Sequence, residues 1–438
     1  PSLASAATTS SFEISGWIPY WRSATGTADV LPHLDQITEV NPFVYTLKSD
    51  GTLVDNGKLD QEPWVSFIAQ AKAKKVRVIP TVMTSSTDLL HTLLSDPKKR
   101  VALEDRIANE VKTKGFDGID IDFEGKKAED KNNFSTFLKG LSQRLGNKWL
   151  MCTIESRTPI DSRYYGADIP KDATIYANDF VQINKYCDRV RIMAYDQQGI
   201  DQALAAQAAS SSQLYAPVAD AAWVKKVVEL AKKSIKPNKI MIGVPTYGYE
   251  YDVTAYANNE YTYKILWTFN PGYATQLMSQ YGVTGMRNTA GEMQFTYTPV
   301  GSSTAPVSLG SNSALLAAAA ASQYATQYNS HLTFRLVDQS VSAEQAQQGR
   351  VPPESEILKG TKAENNQLYV IERRVIVSGE DLTDAQPGFD QHHRSAKWVS
   401  TSNRSASDWR SLAHGLCGHQ RQLLVVGCFY VCHGNGIG

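Results

Sequence analysis

The stretch Phe116-Asp117-Gly118-Ile119-Asp120-Ile121-Asp122-Phe123-Glu124 carries most of the information about the fold. On a β-strand successive side chains point to opposite faces, so the acidic and apolar residues that alternate in this stretch occupy separate faces. The apolar face requires a layer of helices, which turns the acidic face towards the inside of a barrel. The residues on that inward face are Asp120, Asp122 and Glu124.

A row of three carboxylates at about 7 Å spacing is repulsive, and burying any of them unpaired is costly. Such a row gives no structural gain and indicates a functional site. Like charges in a confined site drive pKa values apart, so one carboxyl group keeps its proton while its neighbours are ionised. Glu124, nearest the barrel mouth, is the predicted general acid. The alternatives, a solvated edge strand or a calcium site, do not suit the apolar opposite face.

Short apolar runs alternate with helical stretches on both sides of this segment, a pattern typical of parallel strands joined by helices. The helical stretches place apolar residues at i, i+3 and i+4, as in Asn132–Leu145. The predicted strands are Glu13–Ile18, Ile37–Tyr45, Val76–Val82, Gly118–Phe123, Trp149–Ile154, Val190–Ala194 and Lys239–Val244.

This order predicts an α/β fold of the TIM (β/α)8 barrel type, with a small α+β insertion after strand seven at about residues 250–300 and an atypical eighth strand. The predicted strands end in polar or aromatic residues, and barrel enzymes carry their sites at these carboxyl ends. A helix is predicted over Ser313–Tyr328. The alternative fold is a doubly wound open sheet.

Charge and composition argue against several classes of partner. The 438 residues include 44 basic and 44 acidic side chains, without blocks of like charge, so neither nucleic acid nor an anionic membrane is expected. The apolar stretches are shorter than the roughly 20 residues of a membrane helix. Because the chain begins at Pro1 with small polar residues, as around a signal-peptidase site, we predict a secreted protein. We expect a monomer without cofactor or bound metal.

The segment ending at Glu124 resembles the D-G-x-D-x-D-x-E motif on the fourth strand of glycoside hydrolase family 18, the chitinase-like hydrolases. Met193-Ala194-Tyr195-Asp196 is similar to the family's M-x-Y-D motif, and Gly243-Val244-Pro245-Thr246-Tyr247-Gly248 to its G-x-P-x-Y-G motif. Trp17–Trp21 resembles its aromatic first strand. The resemblance covers about residues 12–330.

The resemblance implies hydrolysis of β-1,4-linked N-acetylglucosamine polymers, such as chitin and chito-oligosaccharides, with retention and without an enzyme nucleophile. Glu124 would protonate the glycosidic oxygen and later activate water, while the substrate's own acetamido carbonyl attacks the anomeric carbon. Asp122 would hold the acetamido nitrogen, with Asp120 behind it sharing a proton, and Tyr195 would bind the acetamido group. The residues expected to bind or shape the substrate are Asp196, Met193, Tyr247, Tyr20 and Trp21.

Two departures from typical chitinases bear on the substrate. Tyr249-Glu250-Tyr251 stands where many chitinases carry an Arg, and Ile79–Val82 lacks their Ser-x-Gly-Gly. The first of these features resembles the bacterial cell-wall and spore-cortex branch, so one alternative is an N-acetylglucosaminidase acting on peptidoglycan or spore cortex. Another is a non-catalytic pseudoenzyme that binds chito-oligosaccharides, because the usual strand-eight Trp is missing between Trp267 and Trp398.

The C-terminal part of the chain differs from the barrel. Residues 332–391 resemble the periplasmic region of SecD, the protein-export membrane subunit, on segments such as Gly349–Leu358 and Arg374–Asp390. They include none of SecD's transmembrane helices, so we infer no translocation role. The composition after Gln391 suggests translation in a foreign frame. We therefore divide the chain into a catalytic barrel at 1–330, a SecD-like fragment at 331–391 and an unassigned tail at 392–438.

Closure of the barrel depends on this C-terminal part. Leu332–Val337 alternates suitably, and because an open parallel barrel would expose two edges, we predict that it serves as strand eight. In the alternative, the barrel lacks its eighth strand, the acetamido pocket lacks its floor, and activity is weak or absent. A metal site is a further alternative for the tail. Its five candidate ligands are Cys417, His419, Cys428, Cys432 and His433.

Overall fold

A parallel sheet that curls into a barrel forms the main layer of the protein in a computed structural model. The structure describes residues 13–164, 169–197, 215–255, 261–269, 273–297, 332–339 and 424–428. In these ranges no helix is long and apolar enough to cross a membrane. The predicted helix at Ser313–Tyr328 lies outside the described residues.

The predicted strands are confirmed within a few residues. The third is split at Ile79-Pro80, because Pro cannot donate to the ladder. From β1 the sheet continues through β2, β5, β6, β7 and β8 to β9, all parallel, with β3 antiparallel at the edge of β2 and β4 pairing with β2. The strands are β1 Ile14–Pro19, β2 Glu39–Leu47, β3 Leu53–Asp55, β4 Arg77–Val78, β5 Thr81–Thr84, β6 Gly118–Phe123, β7 Trp149–Glu155, β8 Arg189–Met193 and β9 Ile240–Pro245.

Helices follow the strands and cover the outside of the sheet. The fourth helix shows why these sequences form helices: Asp96 accepts hydrogen bonds from the backbone N–H of Lys98 and Lys99, and Gly115 ends the helix at φ 64°. The helices are α1 Ser23–Val30, α2 Trp64–Ala73, α3 Thr87–Ser95, α4 Pro97–Lys114, α5 Lys131–Leu145, α6 Ile160–Arg163, α7 Phe180–Tyr186 and α8 Ala221–Ala231, with short 3-10 turns at Tyr20–Arg22, Leu31–Gln36, Ala128–Asp130 and Pro237–Lys239.

The outward face of β6 packs on α5, as its apolar residues require. Phe123 stacks on Phe137 with ring centroids 5.5 Å apart, and Phe134 lies 6.4 Å from Phe123. Ile119 and Ile121 are fully buried. This packing fixes the register of β6, because a slip by one residue would turn the apolar face inward. The acidic face is thereby held inside the barrel.

A second, antiparallel sheet follows β9 and confirms the predicted insertion. Its order is β11, β10, β14, β13, β12. Glu292, fully buried between β12 and β13, accepts the backbone N–H of Val218 and of Ala219, both at 2.8 Å, and so anchors this unit to the loop before α8. The elements are β10 Gly248–Ala255, β11 Tyr261–Phe269, α9 Tyr273–Tyr281, β12 Met286–Arg287, β13 Met293–Tyr297 and β14 Leu332–Gln339.

The prediction that Leu332–Val337 serves as strand eight is wrong. This segment lies in β14, which pairs antiparallel with β10 and β13 in the second sheet. Its alternation of apolar residues fits a parallel or an antiparallel sheet equally well. In the structure the segment pairs between β10 and β13. The eighth barrel position is held by β15, Leu424–Cys428, which pairs parallel with both β9 and β1. The eighth strand is therefore atypical, as expected, but comes from the end of the chain.

A disulfide joins Cys152 on β7 to Cys187 before β8, a pairing that the sequence leaves open. Both cysteines are fully buried, and their separation is 35 residues. Closing such a loop in the unfolded chain corresponds to about 2–4 kcal/mol of stabilisation. We expect Cys152→Ala to lower the free energy of unfolding by this amount in denaturant titrations. A reductant should lower the free energy of unfolding of the wild type by a similar amount and leave that of the variant unchanged. If the reductant does not change the wild-type value, the disulfide does not contribute this stability.

Candidate active site

The carboxylate row on β6 points into the barrel, as predicted. Asp120 and Asp122 are 0% and 1% exposed, and Glu124, directly after the strand, is half-buried. The backbone N–H of Glu124 donates to the carbonyl of Thr84 at 3.0 Å, which continues the strand pairing one residue past β6. The row therefore runs from the closed interior of the barrel to its mouth, with Glu124 outermost.

Asp120 is surrounded by hydrogen-bond donors from four other strands of the barrel. Its Oδ2 accepts from Arg191 Nη1 at 2.6 Å, from Thr81 Oγ1 at 2.9 Å and from Trp17 Nε1 at 3.2 Å. Its Oδ1 accepts from Thr153 Oγ1 at 2.8 Å. Arg191 is an equally buried counter-ion, so the charge of Asp120 is paired inside the barrel.

Asp122 lies in a different environment on the same strand. Its Oδ1 has no hydrogen-bond partner among the described residues. Burial, and after it the charges of Glu124, Asp120 and Glu155, raise the pKa of Asp122 well above its ordinary value, while Lys126 acts in the opposite direction. A carboxyl group in this position keeps its proton at a pH where an exposed aspartate has lost it.

A second acidic side chain stands beside the end of β6. Glu155, the last residue of β7, accepts the backbone N–H of Gly125 at 2.8 Å and Asn178 Nδ2 at 2.7 Å, and Lys126 Nζ lies 3.7 Å away. Burial favours its neutral form, but the Lys126 charge and these hydrogen bonds outweigh burial and lower its pKa. Glu155 is therefore an anion that holds the turn after Glu124 in place.

The M-x-Y-D and G-x-P-x-Y-G motifs meet at the carboxyl ends of the paired strands β8 and β9. The rings of Tyr195 and Tyr247 are 6.0 Å apart and nearly perpendicular, and both side chains are buried. The hydroxyls of Tyr247 and Tyr249 both donate to Oδ1 of Asp196. Burial raises the pKa of Asp196, and the two hydroxyls oppose this effect. The structure thus brings together the three predicted residues Tyr195, Asp196 and Tyr247.

Gly243 on β9 makes this arrangement possible. A Cβ at this position would lie 2.8 Å from the carbonyl oxygen of Ile192 and 2.9 Å from Cε1 of Tyr195. The ring of Tyr195 therefore lies across β9 in space that only Gly leaves open. This contact explains the first residue of the G-x-P-x-Y-G motif.

The other predicted substrate-binding residues lie at the ends of β8 and β1. Met193 ends β8 and is buried. Tyr20 and Trp21 directly follow β1 and are 39% and 43% exposed, with their rings 4.8 Å apart. Exposed aromatic faces at the carboxyl ends of barrel strands are suited to stacking on sugar rings.

Three charged residues that act on the row, Arg191, Glu155 and Lys126, were not among the predicted site residues. Arg191 is the clearest, because a lone cation within the apolar run Val190–Ala194 signals a buried anionic partner. Glu155, the polar residue after the predicted strand Trp149–Ile154, and Lys126 carry no such signal in the sequence. Within the described ranges no three His, Cys, Asp or Glu side chains are placed to hold a metal ion. Of the five candidate metal ligands in the tail, only Cys428 lies within the described ranges, where the structure describes its backbone.

Comparisons with known proteins agree with this geometry. The sequence model described as Glycosyl hydrolases family 18 matches residues 16–345. "Uncharacterized glycosylase YvbX" of Bacillus subtilis (strain 168) is 26% identical over 227 residues, which are 50% of this chain and 61% of that protein. The match thus spans less than two thirds of that relative.

Two solved structures share the fold. The spore cortex-lytic enzyme SleL of Bacillus cereus superposes with a TM-score of 0.52 at 17% identity, over 79% of this chain and 67% of that chain. A chitinase from Chromobacterium violaceum ATCC 12472 superposes with a TM-score of 0.53 at 16% identity, over 77% of this chain and 89% of that chain.

The similarity to SecD is short. "Protein translocase subunit SecD" of Rickettsia conorii (strain ATCC VR-613 / Malish 7) is 38% identical over 73 residues, 16% of this chain and 14% of that protein. The family 18 match ends at residue 345 and so includes β14, whose strand belongs to the second sheet. Residues 332–339 are therefore structurally part of the second sheet.

Proposed function

The chain belongs to glycosyl hydrolases family 18, and from this premise we propose that it hydrolyses β-1,4-linked N-acetylglucosamine polymers by substrate-assisted retaining catalysis. The observation that carries the proposal is the graded burial of Asp120, Asp122 and Glu124 along the inner face of β6. An acid at the mouth can reach a glycosidic oxygen, while the buried carboxyl groups behind it can respond to charge that develops on the sugar.

In the proposed reaction Glu124 gives its proton to the glycosidic oxygen as the C1–O bond breaks. The carbonyl oxygen of the substrate's N-acetyl group attacks C1 from the opposite face and forms a cyclic oxazolinium ion. Asp122 accepts the acetamido N–H and stabilises the positive charge, and Tyr195 binds the acetamido group. Glu124, now a carboxylate, takes a proton from water, whose oxygen attacks C1 and reopens the ring.

The substrate class has two candidates. Chitin and chito-oligosaccharides are the simpler one, and the exposed pair Tyr20 and Trp21 supports a sugar-stacking surface. Peptidoglycan or spore cortex is the second, favoured by the absence of an Arg after strand seven. Glu250 does not fill that role, because it is buried and accepts hydrogen bonds from the hydroxyls of Tyr273 and Tyr297 inside the second sheet.

An experiment separates these candidates and tests the activity itself. Purified protein is incubated with umbelliferyl N-acetylchito-oligosaccharides, with colloidal chitin and with purified cortex peptidoglycan, and the released products are quantified. We expect fluorophore release and soluble chito-oligosaccharides. Muropeptide release alone would favour the cell-wall alternative. Binding of chito-oligosaccharide without turnover on any substrate would contradict hydrolysis and favour the pseudoenzyme reading.

We also propose that the protein acts outside the cell. The Cys152–Cys187 disulfide supports this location, because such bonds persist in oxidising compartments and are rare in the cytosol. Polymeric chitin and cell-wall glycans are found in the same compartments. Fractionation of a native producer, followed by detection of the oxidised chain in the culture medium, tests the proposal, and confinement to the reduced cytosol would overturn it.

A further inference from the structure

Arg191 is a buried cation in direct contact with the inner end of the carboxylate row. It lies in the middle of β8, its side chain is fully buried, and its guanidinium lies over the ring of Trp17 at 4.3 Å. One nitrogen, Nη1, donates to Asp120 at 2.6 Å. The other, Nη2, lies within hydrogen-bond distance of Ser15, Asn41 and Glu39. Both ends of the guanidinium are therefore held.

This contact is the inner end of a longer chain of ion pairs. Glu39 lies 3.2 Å from Arg191 and 3.1 Å from Arg77, Arg77 lies 2.9 Å from Glu13, and Glu13 lies 2.5 Å from Arg189. Exposure rises from 0% at Arg191 to 23% at Arg77 and 19% at Arg189, so the chain leads from the interior towards the amino ends of the strands. We call this set the ion-pair chain. It consists of Asp120, Arg191, Glu39, Arg77, Glu13 and Arg189, with three positive and three negative members.

The hydrogen bonds around Asp120 all come from donor groups. Thr81 accepts from Trp17 and so directs its own proton to Asp120, while Thr153 and Arg191 donate directly. Four donors on two oxygens are satisfied by a carboxylate, which only accepts hydrogen bonds. Among the described residues, the charged groups facing Asp120 are Arg191, Glu39 behind it and Asp122 on its own strand.

Asp122 has no comparable set of donors. It is buried, its Oδ1 has no partner among the described residues, and the ion-pair chain does not reach it. A proton shared between the two aspartates is thus drawn to Asp122, because on Asp120 it would displace a donor and leave Arg191 facing a neutral group. The more exposed Glu124 is the remaining carboxyl group that can exchange a proton with Asp122.

We propose, on the basis of the function proposed above, that Arg191 is a positioning residue that keeps Asp120 ionised and so leaves the proton of the aspartate pair on Asp122. Glu124 then remains the group that gives its proton to the leaving group and, as a carboxylate, takes one from water.

The test compares the pH profiles of kcat/KM for wild type, Arg191→Met, Arg191→Lys and Arg77→Met. Without Arg191, Asp120 takes up a proton more easily, so we expect the acidic limb of Arg191→Met to move about 1–3 pH units higher, with a lower kcat. In Arg191→Lys the acidic limb of the kcat/KM profile should return most of the way to its wild-type position. Arg77→Met breaks the same ion-pair chain without touching Asp120, and should lower the melting temperature while leaving the limb unmoved.

An unmoved limb in a folded Arg191→Met protein, or an equal shift in Arg77→Met, would overturn the inference. Carboxyl 13C NMR of the wild type labelled at aspartate decides the point if Arg191→Met does not fold or the wild type is inactive. The signal of Asp120, assigned with Asp120→Asn, should stay in its ionised position at pH values where Asp122 still carries a proton. The reverse order would contradict the role of Arg191, whereas an inactive wild type with the expected order would contradict only the proposed function.

Discussion

Glu124→Gln is expected to lower kcat for umbelliferyl N-acetylchito-oligosaccharides by about 10²–10⁴-fold. The amide keeps the shape of the side chain but can neither give a proton to the glycosidic oxygen nor accept one from water. Both halves of the proposed reaction need that proton transfer. KM should change little, because Glu124 lies at the outer end of the row and the pocket behind it is left intact.

Two controls make this result interpretable. The melting temperature of Glu124→Gln should match that of the wild type, since Glu124 is only half-buried. Glu129→Gln is a matched replacement on the same loop, with a side chain that is 66% exposed, and it should keep full activity. A rate for Glu124→Gln near that of the wild type would exclude Glu124 as the acid and base.

Asp122→Asn is expected to lower kcat by about 10²–10³-fold, the loss typical of removing one electrostatic stabiliser from an active site. The same replacement should make the folded protein more stable at neutral pH. Burial raises the pKa of Asp122 above the value that it has in the unfolded chain. The folded state therefore holds this proton more tightly, and the resulting stability is present at low pH and is lost as the pH rises through the folded-state value.

An uncharged amide avoids that loss, so the difference in stability between Asp122→Asn and the wild type should grow with pH. Denaturant titrations from about pH 4 to pH 8 measure it, starting near the ordinary aspartate pKa. We expect nearly equal free energies of unfolding at the acidic end and a clear advantage for the variant at the neutral end. A variant that is less stable than the wild type at pH 8 would show that an ionised Asp122 stabilises the fold.

Much of the barrel was predictable because the alternation of apolar and polar residues along each strand matches the two faces that the fold buries. The alternation around β6 required an apolar outer face, and Phe123 on Phe137 provides it. The same alternation placed Asp120 and Asp122 inside the barrel. The two motifs at the ends of β8 and β9 were recognisable as neighbours because parallel strands end at one edge. Their meeting around Asp196 follows from that geometry.

The parts that were not predictable depend on contacts between distant residues. Leu332–Val337 has the alternation of any half-buried strand. Its place between β10 and β13 depends on residues that are distant in sequence. Arg191 sits 71 residues after Asp120 in sequence, so their pairing is visible only when β8 and β6 are placed in one barrel. The apolar run around Arg191 indicates that this cation needs a buried anionic partner, but the sequence does not identify Asp120 as that partner.

The stereochemistry of the first product tests the central proposal most directly. A chito-oligosaccharide is cleaved inside an NMR tube, and the anomeric proton of the new reducing end is followed before mutarotation equilibrates it. Attack by the acetamido oxygen followed by attack of water inverts C1 twice, so we expect the β-anomer to appear first. An initial α-anomer would mean a single displacement by water and would contradict substrate-assisted catalysis on the Asp120, Asp122 and Glu124 row.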